Sequence, residues 1–195
     1  MSIVYTLICK NNDKVLCEYT EFQGNFEQIS RNLLKKVQKD KRATFSYADE
    51  YYFHYVNSNG LTYMCMCDNK LSQETAFAYL EELKTLFHDT FTPREIEAAI
   101  SYSLNDRFKD AIRGKMNYFN SNLNDSGNLA KLKKGLDEYK NNILQANDIL
   151  QERGEKIQII VKKADNLRAE SVNYYSSVSK NINLFYFYFY SMKIF

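Results

Sequence analysis

The sequence predicts an α+β domain followed by one long coiled-coil helix. Three observations point there. Short β-rich runs come in pairs separated by Asn-rich turns within residues 1–120. Ser72 and the run Thr92-Pro93-Arg94-Glu95 carry helix-start chemistry ahead of amphipathic stretches. From Leu129 onward, apolar residues recur at alternating steps of three and four.

The elements run in order along the chain. Ile3–Cys9 and Val15–Thr20 flank the turn Asn11-Asn12-Asp13 and form a hairpin. Gly24-Asn25 interrupts the pattern, and Asn25 with Gln28 three residues on forms a capping pair. Phe26, Ile29, Leu33 and Val37 then stand at helical spacing. Ala43–Tyr47 is a short strand. Tyr51–Val56 and Leu61–Cys67 flank Asn57-Ser58-Asn59-Gly60, whose Asn-Gly end signals a tight hairpin. Ser72 caps a second helix bearing Phe77, Leu80, Leu83 and Phe87. Thr92 caps a third, with proline at its first position, expected to run to about Tyr118. The order ββα, βββ, αα favours an antiparallel sheet with grouped helices. Residues 1–120 form the domain and the polar stretch 121–128 (SNLNDSGN) the linker, whose last residue, Asn128, caps the heptad helix.

Composition narrows the function classes. A chain of 195 residues suffices for one compact domain and an extension. Net charge is +2, which gives no nucleic-acid footprint. After residue 128 there are 11 basic and 7 acidic residues, a mild basic excess. The N-terminal MSIVYTLICKNNDK reads as a strand and not as a signal peptide, so the chain is expected on the cytosolic side. Cys9, Cys17, Cys65 and Cys67 all lie in strand-like runs. Cys65 and Cys67 share a strand face, where they read as small apolar filler in a reducing compartment. No zinc-ligand spacing, Gly-rich phosphate loop or nucleophile elbow occurs. His54 and His88, the only histidines, read as strand-face and helix-face residues, and Glu81, Glu82, Glu95 and Glu97 as solvated helix surface. No enzyme, cofactor or metal site is expected.

The heptad segment carries the functional signal. Its sixteen register positions are Leu129, Leu132, Leu136, Tyr139, Ile143, Ala146, Leu150, Arg153, Ile157, Ile160, Ala164, Leu167, Ser171, Tyr174, Val178 and Asn181. Eleven of the sixteen are Ala, Val, Ile, Leu or Met; shifting the frame forward by one leaves five, and back by one leaves two, so the register is well determined. As a helix, residues 129–181 would extend roughly 80 Å at about 1.5 Å per residue. The small domain before it cannot cover such a stripe, so partner helices are its natural destination. Arg153 sits in the middle of the seam. A buried guanidinium costs several kcal/mol unless its five donors are met. The partners are therefore expected to present acceptor side chains at that layer, and glutamine amides accept without adding charge. One polar layer in an apolar seam also fixes register.

Leu150-Gln151-Glu152-Arg153-Gly154-Glu155-Lys156 and Lys163-Ala164-Asp165-Asn166-Leu167 resemble the SNARE motif of an R-SNARE. The stretches GNFEQISRNLL, ADEYYFHYV and AFAYLEELKTLF resemble the longin domain of the long vesicle-associated membrane proteins. The endosomal, lysosomal and vacuolar branch is the better match, since no cysteine lies near this C-terminus as in the prenylated branch. The resemblance implies a profilin-like longin domain with a five-stranded antiparallel sheet and three helices. It implies a SNARE motif over 129–182, with Arg153 as the zero-layer residue and the other fifteen positions as coiled-coil layers. It also implies Qa-, Qb- and Qc-SNARE partners and sorting adaptors, with no nucleic acid. A further implication is an intramolecular longin–SNARE contact, placed by analogy in the groove between the first helix and the sheet. The expected location is the cytosolic face of vesicle, endosomal, lysosomal or vacuolar membranes. In residues 183–195, where the family carries a membrane anchor, only Leu184–Tyr190 is an unbroken apolar and aromatic run. A span needs about 20 residues. Three readings of this tail stand: a truncated anchor, which ranks first, an interfacial segment, or an unanchored regulatory SNARE.

Overall fold

The structure is a computed structural model describing residues 2–47, 50–122, 143–145 and 159–163. The N-terminal part contains β1 (Ile3–Lys10), β2 (Lys14–Thr20), β3 (Phe22–Gly24), α1 (Phe26–Leu34), β4 (Arg42–Tyr47), β5 (Tyr51–Ser58) and β6 (Leu61–Asp68). It continues through α2 (Gln73–Thr90), α3 (Pro93–Ala98) and α4 (Asn105–Ser121). Two short strands come later, β7 (Ile143–Gln145) and β8 (Val161–Lys163).

The main sheet has the order β2-β1-β6-β5-β4-β7. Its first five strands are antiparallel, while β7 joins the edge strand β4 in parallel. Both tight hairpins turn through left-handed backbone. Asn11 and Asn12 have φ of 54° and 58°; Asn59 and Gly60 have φ of 53° and 77°. These are the residues that tolerate positive φ, and turns of this hand match the twist of the flanking strands. The Asn11 N–H donates to the Gly60 carbonyl at 2.8 Å, tying one turn to the other.

The sheet is covered on both faces. Residues Ile3–Cys9 of β1 and Leu61–Cys67 of β6 are buried throughout, as expected of strands sandwiched between two layers. On one face α2 and α4 enclose Ile8, Leu16, Tyr63, Cys65 and Cys67, with Phe87, Phe91 and Phe108 in mutual ring contact. On the other, Phe26, Ile29, Leu33 and Leu34 of α1 cover Tyr5, Leu7, Phe45, Phe53 and Met64. Cys65 and Cys67 do share one face, buried and unbridged, with Sγ atoms 3.7 Å apart.

Helix starts obey the sequence chemistry in two cases. Ser72 accepts the Thr75 N–H at 3.2 Å, and Thr92 with Glu95 forms a reciprocal capping box. The single helix expected from Pro93 to about Tyr118 is instead two. Ala99 is extended (ψ 131°) and Tyr102 is left-handed (φ 62°), which breaks the helix between α3 and α4. The break places the Tyr102 N–H 2.9 Å from the Val15 carbonyl. Asn105 Oδ1 accepts the Glu18 N–H at 2.9 Å. Both bonds satisfy the outer edge of β2, which a continuous helix would leave bare.

His54 lies on β5 with Nδ1 2.8 Å from Thr44 Oγ1 and its ring edge-on to Phe77. Burial lowers its pKa from 6.5 to about 3. The unfolded chain takes up this proton near pH 6.5, whereas the folded chain resists until about pH 3. Stability from neutral His54 is thus present above pH 6.5 and is lost as pH falls through that window. The slope for one proton is about 1.4 kcal/mol per pH unit. Replacing His54→Gln, which keeps a bond to Thr44, is expected to flatten the loss of urea stability between about pH 6 and pH 4.

Candidate functional site

The site is built around α1 and the two strand edges beside it. The tilt of α1 is held from below by a polar cluster. Arg31 donates to the Tyr102 hydroxyl at 2.6 Å, and that hydroxyl donates to Glu18 Oε1 at 3.0 Å. The Tyr5 hydroxyl donates to Glu18 Oε2, and Arg31 lies 3.4 Å from the same carboxylate. Burial and the adjacent Glu18 both raise the Tyr5 pKa, so its hydroxyl stays a donor. The α3–α4 break is therefore joined to α1 through β2.

The other end of α1 receives the C-terminal segment. Strand β8 pairs antiparallel with β3, matching Phe22 to Lys163, Gln23 to Lys162 and Gly24 to Val161. Ile159 and Val161 pack against the cluster formed by α1 and the sheet face beneath it. The Ile160 N–H donates to Asn25 Oδ1 at 2.9 Å. This corrects the expectation that Asn25 caps α1 with Gln28: its side chain makes no cap bond, because the oxygen serves the incoming segment. Gly24 is required by closeness. A Cβ there would overlap the Ile160 carbonyl oxygen and come within 2.8 Å of the Phe26 ring. At the far edge of the sheet, β7 pairs with β4, matching Thr44 to Ile143, Phe45 to Leu144 and Ser46 to Gln145.

Of the sixteen register positions, Ile143 and Ile160 fall among the described residues. The other fourteen, Arg153 included, lie outside them. Ile143 begins β7, and Ile160 directly precedes β8 with 53% of its surface exposed. A continuous helix over 129–182 therefore does not hold for these two pieces, which are extended. The physical reason is local. Pairing with β3 and β4 satisfies backbone groups and half-buries Ile159 and Val161, whereas a lone helix would leave its stripe in water. Among the described residues the expected elements are supplemented: β7 joins the five-stranded sheet, β3 and β8 form a separate two-stranded sheet, and four helices replace three. Among the described residues, no group of three or more His, Cys, Asp or Glu is placed to hold a metal ion. No helix among them is long and apolar enough to cross a membrane.

The arrangement is a receptor for an extended peptide with apolar residues at alternate positions. It has an edge for backbone pairing, an amide oxygen at Asn25, and an apolar floor under α1. Comparison with known proteins fits that architecture. The family model described as a longin, regulated-SNARE-like domain matches residues 16–112. Vesicle-associated membrane protein 724 of Arabidopsis thaliana is 29% identical over 174 residues, covering 89% of this chain and 78% of that protein. Vesicle-associated membrane protein 7B of Dictyostelium discoideum is 31% identical over 178 residues, 89% of this chain and 66% of that protein. Vesicle-associated membrane protein 7 of Gallus gallus is 26% identical over 183 residues, 93% and 81% respectively.

The chain belongs to the longin-type R-SNAREs.

The similarity to all three relatives covers nearly nine tenths of this R-SNARE or more, so it extends beyond the longin domain into most of the heptad segment. The family works in vesicle transport and membrane fusion. In the sequence Gly24 and Asn25 read as a break in pattern, with Asn25 also a helix cap, and neither as part of a groove. Their partner lies 135 residues away in the case of Asn25, a distance no local rule spans. Gly24→Val is expected to expel residues 159–163 while leaving far-UV dichroism unchanged. Tryptic cleavage after Lys162 and Lys163 should then accelerate about tenfold or more, as for a site whose open population has risen.

Proposed function

We propose that residues 129–182 zipper with one Qa, one Qb and one Qc helix into a parallel four-helix bundle that docks and fuses vesicles. Arg153 forms the polar layer against the partners' glutamines, and the apolar positions from Leu129 to Val178 form the seam. The observation that carries this is the sixteen-step register interrupted at its middle by a single arginine, in a chain of this family. The longin domain regulates the step by holding part of the same segment in its groove, and offers a surface to sorting adaptors. The setting is the cytosolic face of endosomal, lysosomal or vacuolar membranes.

Magnitudes favour the bundle once partners are present. Each fully buried Leu or Ile side chain contributes about 1.5–3 kcal/mol. The seam holds eleven apolar positions. The groove side contributes two half-buried residues, Ile159 and Val161, plus short ladders. Ordering costs of about 1–2 kcal/mol per residue oppose both states, and the longer helix bears more of them. The closed state therefore delays assembly and does not prevent it. A second reading, a non-fusogenic regulatory SNARE or longin adaptor-binding module, is favoured by the same docking of the segment on its own domain.

Circular dichroism of the full chain tests the first reading. Mixing with recombinant Qa, Qb and Qc helices should add helix cooperatively. Leu150→Asp with Ile157→Asp should abolish that gain, while Arg153→Leu should retain it with altered register or disassembly. A full gain from the double variant would overturn the zipper.

A further inference from the structure

We infer that the stretch around Ile160 carries two separate recognition codes: Ile159 and Val161 are read by the longin groove, and Ile160 by the bundle. The inference rests on the docking proposed above and specifies how that docking is regulated.

The argument is one of period. Along a strand, alternate side chains share a face; along a coiled-coil helix, the seam recurs at steps of three and four. In the docked segment Ile159 and Val161 point onto the α1 cluster, and Ile160 between them is exposed. In the heptad register the order is reversed. Ile157, Ile160 and Ala164 are seam positions, and Ile159 and Val161 fall off the seam. Changing strand for helix thus exchanges which isoleucine is buried. The backbone makes the two states exclusive as well. Groups of Val161–Lys163 that pair with Phe22–Gly24 cannot at the same time close helical turns. A sequence serving one state alone would need apolar residues in one phase only; here three β-branched apolar residues stand in a row, Ile159-Ile160-Val161, with Lys162 and Lys163 after them.

Two features make the docking code selective. Gly24 admits the segment's backbone only because it lacks a Cβ. Asn25 accepts the middle N–H of the three, which sets the phase so that the residues on either side face inward. A slip of one residue would turn Ile160 inward and place Val161 at Asn25.

Hydrogen exchange on the full chain, with and without recombinant Qa, Qb and Qc helices, tests the separation. Ile159→Ser with Val161→Ser should lower amide protection in 160–163 and 22–25 by about tenfold or more, yet join the bundle with the wild-type gain in helix. Ile160→Ser should keep that protection and lower the bundle's melting temperature. Amides of β1 and β6 should be unchanged in both, showing the domain intact. The inference is overturned if Ile160→Ser loses as much protection as the double variant, or if the double variant loses none. Gly24→Val separates the causes. If it strips protection while Ile159→Ser with Val161→Ser does not, docking stands and the code is wrong. If wild type and Gly24→Val exchange alike at 160–163, docking itself is absent. If wild type gains no helix with the Q helices, the zipper reading falls and takes the bundle half of the code with it.

Discussion

Strands β1 and β6 lie at the centre of a sheet covered on both faces, so the sheet can take new partners only along its outer strands. The two edges are treated differently. The β2 edge is closed from within by the α3–α4 break, through the Tyr102 N–H and the Asn105 side chain. The β4 edge carries the short parallel strand β7. One piece of the distant segment therefore pairs at the β4 edge, and a second pairs with β3 in a separate two-stranded sheet, packed on the α1 face. The polar cluster of Glu18, Arg31, Tyr5 and Tyr102 links the closed edge to the open groove, because it fixes α1 against β2. Much of what the R-SNARE does with its heptads depends on where pairing remains possible.

Local chemistry made most of the domain legible. Asn-Gly at 59–60, Ser72, and the Thr92–Glu95 box each specify a backbone conformation by themselves, and each sits as expected. The alternation in the strands likewise sorted Cys65 and Cys67 onto one face. The α3–α4 break was not legible, because it is driven by the need of a distant strand edge and not by a strong breaker in Ser101-Tyr102-Ser103. Asn25 shows the same limit. Its type and spacing to Gln28 are those of a cap, and the competing acceptor role comes from Ile160, which no nearby residue announces.

The heptad segment presents the opposite case. Its register is plain in the sequence, and its phase excludes the neighbouring frames. Yet the two described pieces are strands, because their backbone groups find open edges at β4 and β3, and Ile143 and Val161 suit the extended form. Periodicity reports which residues can share a face in a given backbone form. Which form is taken depends on the surfaces within reach, so the same residues suit a strand beside the longin domain and a helix in the bundle proposed above.

The chain order of these parts has a consequence for how the molecule is made. Both receiving edges, at β3 and β4, belong to the first 47 residues, and the last strand of the five, β6, ends at Asp68. The segments that fill them, Ile143–Gln145 and Val161–Lys163, emerge from the ribosome long afterwards. Since domains form as units during synthesis, N-terminal first, the receiving strands leave the ribosome before the segments that fill them. The domain is then available as a chaperone in cis for an amphipathic segment that would otherwise meet other nascent chains first, and the occupant in turn shields a β4 edge that would invite sheet-to-sheet aggregation.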